Sequence, residues 1–300
     1  MLLGSNLDQI DKESHEAVQL RSGLSVQGEL SFEAINRGLN CLTAFSAQLR
    51  QFDPHPDYVR VVATAALRLA HNRELFLSHA TKRLGYAIEL ISGEAEAAFI
   101  YQGFRDYLRL TPGLKILGID IGGGSTELVV GLEALAERSL SISLGCLDLQ
   151  MYFLDKSSCK AKQFSLALHR VETKLKQAAI QRQIQGLVDF GWQAVFAGSG
   201  SAKLLRQMKQ FLGLGHDTTL SLANIEQIQA YLISLKEDEP LQQMGLKAYQ
   251  LAILPCVVVI FLALMKQLRL EKLTILPVSL RHGVLATMRS SILQPLKHNS

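Results

Sequence analysis

The chain has 300 residues, of which 48% are hydrophobic and 19% are charged, and its formal net charge is +4. This apolar content excludes a disordered polypeptide and is ample for one large or two medium domains. After residue 200 there are 11 Lys and Arg against 6 Asp and Glu, whereas residues 1–200 carry 20 against 21. The excess of positive charge after residue 200 is compatible with an anionic ligand, and it is equally compatible with an ordinary solvated surface.

Compartment and membrane signals point to a cytoplasmic protein. The four cysteines (Cys41, Cys146, Cys159 and Cys256) form no Cys-x-x-Cys pair and no metal spacing with His, so reduced thiols are expected. No basic segment followed by an apolar run opens the sequence, so a signal peptide is not expected. The apolar stretch 251–265 contains Pro255 and is shorter than the roughly 18–20 residues of a membrane span, which predicts a buried helix.

The first third of the chain alternates between helical and strand patterns. Residues 31–52 carry one apolar stripe at spacings of three and four, with Ser31 as the expected N-cap. Further predictions here are a strand from residue 58, a helix from Asn72 to about Leu84, a strand over 87–92 and a helix over 93–108. Thr-Pro-Gly at 111–113 marks a domain boundary, which divides the chain into residues 1–112 and 113–300.

The remainder is also mixed α/β, with hairpin-like steps before parallel crossovers. Strands are predicted over 114–120, 126–131, 139–145, 194–197 and within 272–279. Helices are predicted over 164–180, from residue 202, over 221–235, over 248–268 and from about Ser279.

A run of three glycines, Gly122, Gly123 and Gly124, joins two of these strands. Glycines let successive backbone N–H groups point into one concavity, as in phosphate-binding turns. Ser125 and Thr126 add hydroxyl donors. Asp120 and Glu127 flank the turn, and two carboxylates beside a phosphate require a cation between them, for which Mg²⁺ with its oxygen ligands is suited.

A simpler interpretation is a plain β-hairpin turn, although a hairpin needs one or two glycines rather than three with flanking acids. The turn is neither a Walker A loop nor a dinucleotide-binding Gly-x-Gly-x-x-Gly motif. A second small-residue turn, at residues 197–203, ends a strand and opens a helix whose N-terminus can bind an anion, with Lys203 in its first turn. Alone it is equally compatible with an ordinary strand–helix connection. Together the two turns predict loops that face one cleft.

With these motifs in place, the sequence resembles the Ppx/GppA family of exopolyphosphatases and guanosine pentaphosphate phosphatases. The segments that carry the resemblance are VVATAALRLA, IELISGEAEAAFIY, ILGIDIGGGSTELVVG, SLGC, AGSGSAK and VSLRHGVL, and it extends from about residue 8 to about residue 290. It implies two ribonuclease-H-like α/β domains, of the actin, sugar-kinase and heat-shock ATPase superfamily, with the anionic substrate in the cleft between them.

The resemblance also implies roles for individual residues. Glu96 matches the catalytic glutamate that activates water, with Glu94 as its rival, and Arg68 matches a phosphate-binding arginine. Asp120 and Glu127 match the metal-binding acids, with Mg²⁺ as the cofactor. The residues matched to phosphate binding are Gly122, Gly123, Gly124, Ser125, Gly198, Ser199, Gly200, Ser201, Lys203 and Arg281.

The sequence departs from the family pattern at several places. The Gly4-Ser5-Asn6 triplet lacks the Asp expected two positions earlier, so the first domain is expected to lack its first strands, with the loss of one phosphate loop and exposure of sheet edges. Ala98, Cys256 and His282 replace residues usual in the family. The chain resembles the short members without a helical C-terminal extension.

The leading hypothesis is therefore a cytoplasmic, Mg²⁺-dependent hydrolase that releases orthophosphate from the end of inorganic polyphosphate. Guanosine pentaphosphate is the alternative substrate. A phosphate-binding paralogue without catalysis is a further alternative, because the first phosphate loop is missing, and a kinase of the same superfamily is disfavoured for the same reason. No nucleic-acid or membrane partner is expected, and a homodimer is compatible with the sequence.

Overall fold

A computed structural model describes residues 1–6, 8–109, 113–154, 160–235, 241 and 243–293. The strands are β1 (Leu2–Asn6), β2 (Gln9–Glu13), β3 (Val61–Ala63), β4 (Ile88–Leu90), β5 (Lys115–Ile121), β6 (Thr126–Leu132), β7 (Leu135–Ile142), β8 (Ala194–Ala197), β9 (Thr219–Ser221) and β10 (Lys272–Ile275).

The α-helices of the described residues are α1 (Phe32–Leu49), α2 (Ala65–Leu69), α3 (Arg73–Leu84), α4 (Gly93–Leu108), α5 (Cys146–Leu149), α6 (Lys160–Leu175), α7 (Ala178–Phe190), α8 (Ser199–Phe211), α9 (Leu222–Ser234), α10 (Ala248–Gln267) and α11 (Leu280–Leu293).

Six strands form the main sheet, in the order β7-β6-β5-β8-β10-β9. The three strands β5, β6 and β7 pair antiparallel, and β8 and β10 continue the sheet parallel to β5. Alternate residues of β5 and β6 pack on opposite faces, and both strands are buried over nearly their whole length. One face carries the large core with α6, α8, α9 and α10, while the other packs against α4.

The apolar helix α10 lies in the middle of the large core. It is long and apolar enough to cross a membrane by length and composition, with a mean hydropathy of 2.4, but 61% of that stretch is buried inside the protein. All residues from Cys256 to Met265 are buried among the helices and strands of the core. The helix therefore packs like the core helix of a globular domain, as the sequence analysis expects.

Two glycines of the sheet make room for α4. A Cβ atom on Gly118 would lie 2.9 Å from the ring of Phe104, and one on Gly131 would lie 2.4 Å from the ring of Tyr101. Both rings are fully buried. Side chains at these two positions would push α4 away from the sheet, so the glycines set the height at which this helix lies over β5 and β6.

A smaller unit precedes the main sheet. Here β3 and β4 form a two-stranded parallel sheet that packs with α1 and α3 around a separate apolar cluster. Within the described residues β3 pairs with β4 alone, and an apolar pocket of about 260 Å³ opens next to it, lined by residues such as Leu42, Val62 and Phe76. The small sheet therefore has two strands among the described residues, and the expected lack of strands in the first domain stays a prediction.

Strands β1 and β2 form a hairpin of their own instead of joining β3 and β4. The hairpin packs against α11 through β1. The Gly4–Asn6 triplet therefore lies in a hairpin strand, which the sequence analysis did not predict, and this strand adds nothing to the small sheet.

The predicted domain boundary at residues 112–113 involves residues 110–112, which lie outside the described part of the chain, and it stays a prediction. Apolar packing nevertheless extends across this position. Helix α4, from before it, packs against β5, β6 and α11 from after it. Gly103 and Gly283 lie at the α4–α11 crossing, where a Cβ on Gly283 would come within 1.6 Å of the Phe99 carbonyl oxygen.

Most predicted elements form, with differences at their ends. Ser31 caps α1 as expected by accepting a hydrogen bond from the Ala34 amide at 3.2 Å, but Phe32, expected in the buried stripe, is 74% exposed. Asn72 precedes α3 without capping it, because its side chain hydrogen-bonds both backbone groups of Leu30. The helix predicted over 164–180 is two helices, α6 and α7.

Candidate active site

The site begins with a row of polar side chains across three antiparallel strands. Asp120 of β5 lies directly opposite Glu127 of β6, and Glu127 lies opposite Ser141 of β7. The Ser141 hydroxyl donates to Glu127 Oε1 at 3.0 Å. Like charges on directly opposed residues destabilise a sheet, so this pairing of carboxylates indicates a site kept for chemistry rather than for stability.

Glu96 joins this row from α4. Ser92 caps the helix by accepting a hydrogen bond from the Ala95 amide, and the helix N-terminus lies so close to the sheet that a Cβ on Gly93 would fall 2.4 Å from Ser141 Cβ. Glu96 is 7% exposed, whereas Glu94 points to solvent. The geometry therefore brings Glu96 to the two sheet carboxylates and leaves its rival Glu94 at the rim.

Arg68, on the short helix α2, faces Glu96 from the smaller unit. Its NH1 group donates to Glu96 Oε2 at 2.7 Å and to the Ile91 carbonyl at 3.1 Å. Thr64 also hydrogen-bonds to Glu96. The two residues that the sequence analysis matched to water activation and to phosphate binding are thus in direct contact.

Burial favours the protonated forms of all three carboxyls, and repulsion by Glu96 adds to this effect at Asp120 and Glu127. Burial, followed by the charge of Glu96, raises the pKa of Asp120 to about 7. The same two causes, in the same order, raise the pKa of Glu127 to about 8, against hydrogen bonds from Ser125 and Ser141. Burial also raises the pKa of Glu96, although Arg68 opposes it.

The glycine turn between β5 and β6 is held through its carbonyl groups. The amides of Cys146 and Leu147 donate to the carbonyls of Gly122 and Gly123 at 3.0 and 2.9 Å. Among the described residues, no group accepts a hydrogen bond from the amides of Gly123 or Gly124. The turn therefore has unused amides of the kind that bind phosphate oxygens.

The hydroxyls at the turn differ in their availability. Ser125 lines the adjoining pocket and hydrogen-bonds to Glu127. The expectation that Thr126 offers a donor to the ligand is wrong, because its hydroxyl is buried and donates to the Leu144 carbonyl at 2.7 Å. Only one of the two expected hydroxyls faces the site.

The second small-residue turn, at Gly198–Ser201, lies against the end of β5. The hydroxyls of Ser199 and Ser201 both donate to the Ile121 carbonyl, at 3.3 and 2.7 Å, and Ser199 also opposes the rise in the pKa of Asp120. Ser199 has a positive φ of 76°, a conformation that costs a non-glycine residue about 1 kcal/mol or more. These serines position the carboxylate row, and Gly200 has open space beside it.

Lys203 and Arg281 do not reach the glycine turn. Arg281 donates to Glu13 Oε1 at 2.6 Å and to the carbonyls of Met1 and Ser14. Lys203 lies near Glu13 and His282, whose pKa values respond to its charge. These two basic residues therefore belong to a contact with the N-terminal hairpin.

His282, one of the departures from the family pattern, is buried rather than exposed. Its Nδ1 accepts a hydrogen bond from the Ser279 amide at 3.1 Å, and burial lowers its pKa. His282 therefore caps the start of α11 as a neutral side chain.

A polar pocket of about 220 Å³ opens beside the row. Arg68, Gly93, Ser125 and Ser141 line it together with Ala65, Leu69, Glu94 and Ser143. It adjoins Glu127 through Ser125 and Ser141, and Glu96 through Arg68. The pocket is large enough for a few phosphate groups, and a guanidinium and hydroxyl groups supply donors for an anion.

The residues at the row fit a magnesium ion. Asp120 and Glu127 supply hard oxygen ligands, and burial, followed by the charge of Glu96, raises the pKa of both carboxyls. Within the described residues, no three His, Cys, Asp or Glu side chains are close enough to hold a metal ion alone. A magnesium ion here would complete its shell with phosphate oxygens and water, as is usual for Mg²⁺.

Several functional neighbours had no distinctive sequence signal. Ser141 is one serine in a plain strand, and Thr64 is one threonine before α2. Arg21 and Asp148, which pair at 2.5 Å beside the glycine turn, are 127 residues apart. The register of β6 and β7 would have identified Ser141, because it places this residue opposite Glu127.

Comparisons with known proteins agree with this geometry. The model of the Ppx/GppA phosphatase family matches residues 6–291. An exopolyphosphatase from Cytophaga hutchinsonii superposes with a TM-score of 0.80, at 21% identity over 97% of this chain and 94% of that one. A Ppx/GppA family member from Aquifex aeolicus gives 0.72, at 20% identity over 97% and 91%. These likenesses confirm the mixed α/β fold class expected from the sequence.

Proposed function

Since the chain belongs to the Ppx/GppA phosphatase family, we propose that it is a cytoplasmic hydrolase that releases orthophosphate from the end of inorganic polyphosphate. One observation carries the proposal: three buried carboxyls (Glu96, Asp120 and Glu127) converge next to a glycine turn with unused amides. Oxygen ligands beside backbone donors suit a phosphoanhydride, whose negative charge requires both a cation and N–H groups.

Glu96 is the base in this proposal. A water held between Glu96 and the terminal phosphorus gives its proton to the carboxylate as it attacks. Burial raises the pKa of Glu96 and makes its carboxylate a stronger base, while Arg68 keeps it oriented and partly offsets the effect. Arg68 has further N–H groups for terminal phosphate oxygens, because NH1 alone makes its hydrogen bonds to Glu96 and to the Ile91 carbonyl.

Asp120 and Glu127 would hold Mg²⁺, with Ser199 and Ser141 orienting the two carboxylates. When bound, the cation neutralises phosphate charge and makes the phosphorus easier to attack. The amides of Gly123 and Gly124 hold oxygens of the bound chain. The leaving group is the shortened polyphosphate, which is a stable anion and needs little assistance.

The pocket favours a polyphosphate end over guanosine pentaphosphate. Its volume of about 220 Å³ and its small polar lining leave little room for a nucleoside, and no aromatic ring among the described residues lines it for base stacking. A phosphate-binding paralogue without catalysis stays as the alternative, since the sequence departs from the family pattern at the first phosphate loop. It predicts binding without release of phosphate.

The test replaces each glutamate of the α4 N-terminus in turn. Glu96→Gln is expected to lower phosphate release from polyphosphate by about 100-fold or more while calorimetric binding of polyphosphate persists. Glu94→Gln is the matched comparison, with the same chemical change two residues away on the exposed side. Unchanged release in Glu96→Gln would refute the assignment, and binding without release in the wild-type protein would establish the non-catalytic alternative.

A further inference from the structure

Arg21 is a partly buried link between the smaller unit and the glycine turn. It lies in a 3₁₀ turn (Leu20–Gly23), and its Nε and NH2 groups both donate to Asp148 Oδ1, at 2.8 and 2.5 Å. The two side chains are 23% and 17% exposed. The Arg21 side chain also lies against Gly124, where an added Cβ would be 3.3 Å from its Cγ and Cδ atoms.

Asp148 connects Arg21 to Gly145, which begins the segment that supports the glycine turn. Its Oδ2 accepts a hydrogen bond from the Gly145 amide at 2.8 Å. Gly145 is so close to the glycine turn that a Cβ there would lie 2.4 Å from backbone atoms of Gly123 and Gly124. One carboxylate oxygen thus binds Arg21 while the other fixes the residue that touches the turn.

The segment after Gly145 sets the direction of the turn's amides. The Cys146 and Leu147 amides bind the carbonyls of Gly122 and Gly123. In a trans peptide unit the C=O and the N–H point in opposite directions. Tying these two carbonyls to α5 therefore turns the amides of Gly123 and Gly124 away from α5.

We propose that Arg21 is a positioning residue, which holds the glycine turn through Asp148 and Gly145 so that the Gly123 and Gly124 amides stay aimed at a bound phosphate. This inference rests on the proposed function. Donors held in place before binding stabilise charge in a reaction without having to reorganise. Loss of the link lets the peptide units of the turn rotate. This weakens ground-state binding and, more strongly, weakens the stabilisation of the charge that develops during hydrolysis.

The experiment uses the full chain labelled with ¹⁵N-glycine. Amide resonances of Gly123, Gly124 and Gly145 are followed in the apoprotein and during titration with tripolyphosphate and Mg²⁺. The variants are Arg21→Met, Asp148→Asn and their double combination, with Arg21→Lys as a milder variant should Arg21→Met fold poorly. Arg60→Met is the matched control, because Arg60 pairs with Glu89 in the same unit away from the turn.

In the apoprotein, both single variants are expected to shift the Gly123 and Gly124 resonances, whereas Arg60→Met leaves them in place. The dissociation constant for tripolyphosphate and the KM should both rise by about fivefold, and kcat should fall further, by about tenfold. Arg21→Lys, which keeps the charge with a single donor group, should lie in between.

The double variant separates positioning from direct contact. Residues that act as one unit are not additive, so Arg21→Met with Asp148→Asn should be no worse than the more damaging single variant. A further tenfold loss in the double variant would mean that Arg21 binds the substrate itself and would overturn the inference. Unchanged apoprotein spectra and unchanged tripolyphosphate binding in Arg21→Met would overturn it as well.

The same spectra distinguish this inference from the proposed function. The turn resonances of the wild-type protein could stay unchanged on addition of tripolyphosphate while Arg21→Met shifts them in the apoprotein. That result would refute the proposed phosphate site and leave the structural link intact. Wild-type resonances that respond to tripolyphosphate, with an Arg21→Met protein that responds equally, would leave the function standing and remove Arg21 from it.

Discussion

Replacing Asp120 by Asn should make the metal-free protein more stable at alkaline pH. The native protein holds Asp120 opposite Glu127 and near Glu96, in a buried position. An amide keeps the shape of the side chain and removes its negative charge. The gain in stability comes with a loss of phosphate release, because Asp120 is a proposed metal ligand.

The size of the effect follows from the pKa of Asp120, which rises from 3.8 to about 7 on folding. The folded protein thus holds this proton more tightly than the unfolded chain does, and the resulting stability is complete below about pH 4 and lost as pH rises through 7. One pKa unit corresponds to about 1.4 kcal/mol, so ionised Asp120 costs the native state about 4 kcal/mol at pH 8.5, as an upper bound. The advantage of Asp120→Asn should therefore grow by about 2–3 kcal/mol between pH 5 and pH 8.5.

The assay is urea unfolding of both proteins at pH 5 and pH 8.5 with a chelator present. Asp217→Asn is the control, because Lys209 lowers the pKa of Asp217 and the ion pair is present at both pH values. This change should lower the stability by the same amount at pH 5 and pH 8.5. Added Mg²⁺ should stabilise the wild-type protein and narrow its difference from Asp120→Asn. Equal stability of the two proteins at pH 8.5, or an advantage that shrinks as pH rises, would refute the picture of repelling carboxyls.

Three further outcomes follow from the site. Gly145→Ala places a Cβ against the backbone of the glycine turn, and phosphate release should fall by about 100-fold or more in a steady-state assay. Ser141→Ala removes a hydrogen bond that lowers the pKa of Glu127, so the acidic limb of the kcat/KM profile should move to higher pH. Arg68→Met leaves buried Glu96 without its cation and should lower the free energy of unfolding at pH 8 by about 3 kcal/mol in urea titrations.

Each of these three predictions can be contradicted by a specific result. Gly186→Ala, in the interior of α7 with only the flexible end of Arg138 nearby, should leave release unchanged, and equal losses in the two glycine variants would point to general destabilisation. An acidic limb that stays in place in Ser141→Ala would exclude Glu127 from the titration that limits activity. If the Arg68→Met protein were as stable as the wild-type protein, Glu96 would be protonated and would need no cationic partner.

Local sequence patterns were sufficient for most elements and for the two turns. The helix predicted over 93–108 forms as Gly93–Leu108, and Ser92 caps it by accepting a hydrogen bond from the Ala95 amide. The glycine turn between two apolar runs was equally clear, since three glycines with flanking acids have few other uses. The helix and the glycine turn are both determined by residues that are close together in the sequence.

The features that the sequence did not predict depend on contacts between residues that are distant along the chain. The N-terminal hairpin contains mostly polar residues and is held by Arg281, which lies 268 positions after Glu13. Lys203 and Arg281 carried a family match, yet their neighbours place them with the hairpin, away from the glycine turn. The choice between Glu94 and Glu96 needed the packing of α4 on the sheet, which depends on Gly118 and Gly131.

The close crossing of α4 and α11 at Gly103 and Gly283 limits how the protein can open. Backbones in direct contact leave no layer of side chains between α4 and α11, so we expect Glu96 to keep its place beside Asp120 when the pocket widens. Widening would then separate α2 from α4 and break the hydrogen bond between Arg68 and Glu96.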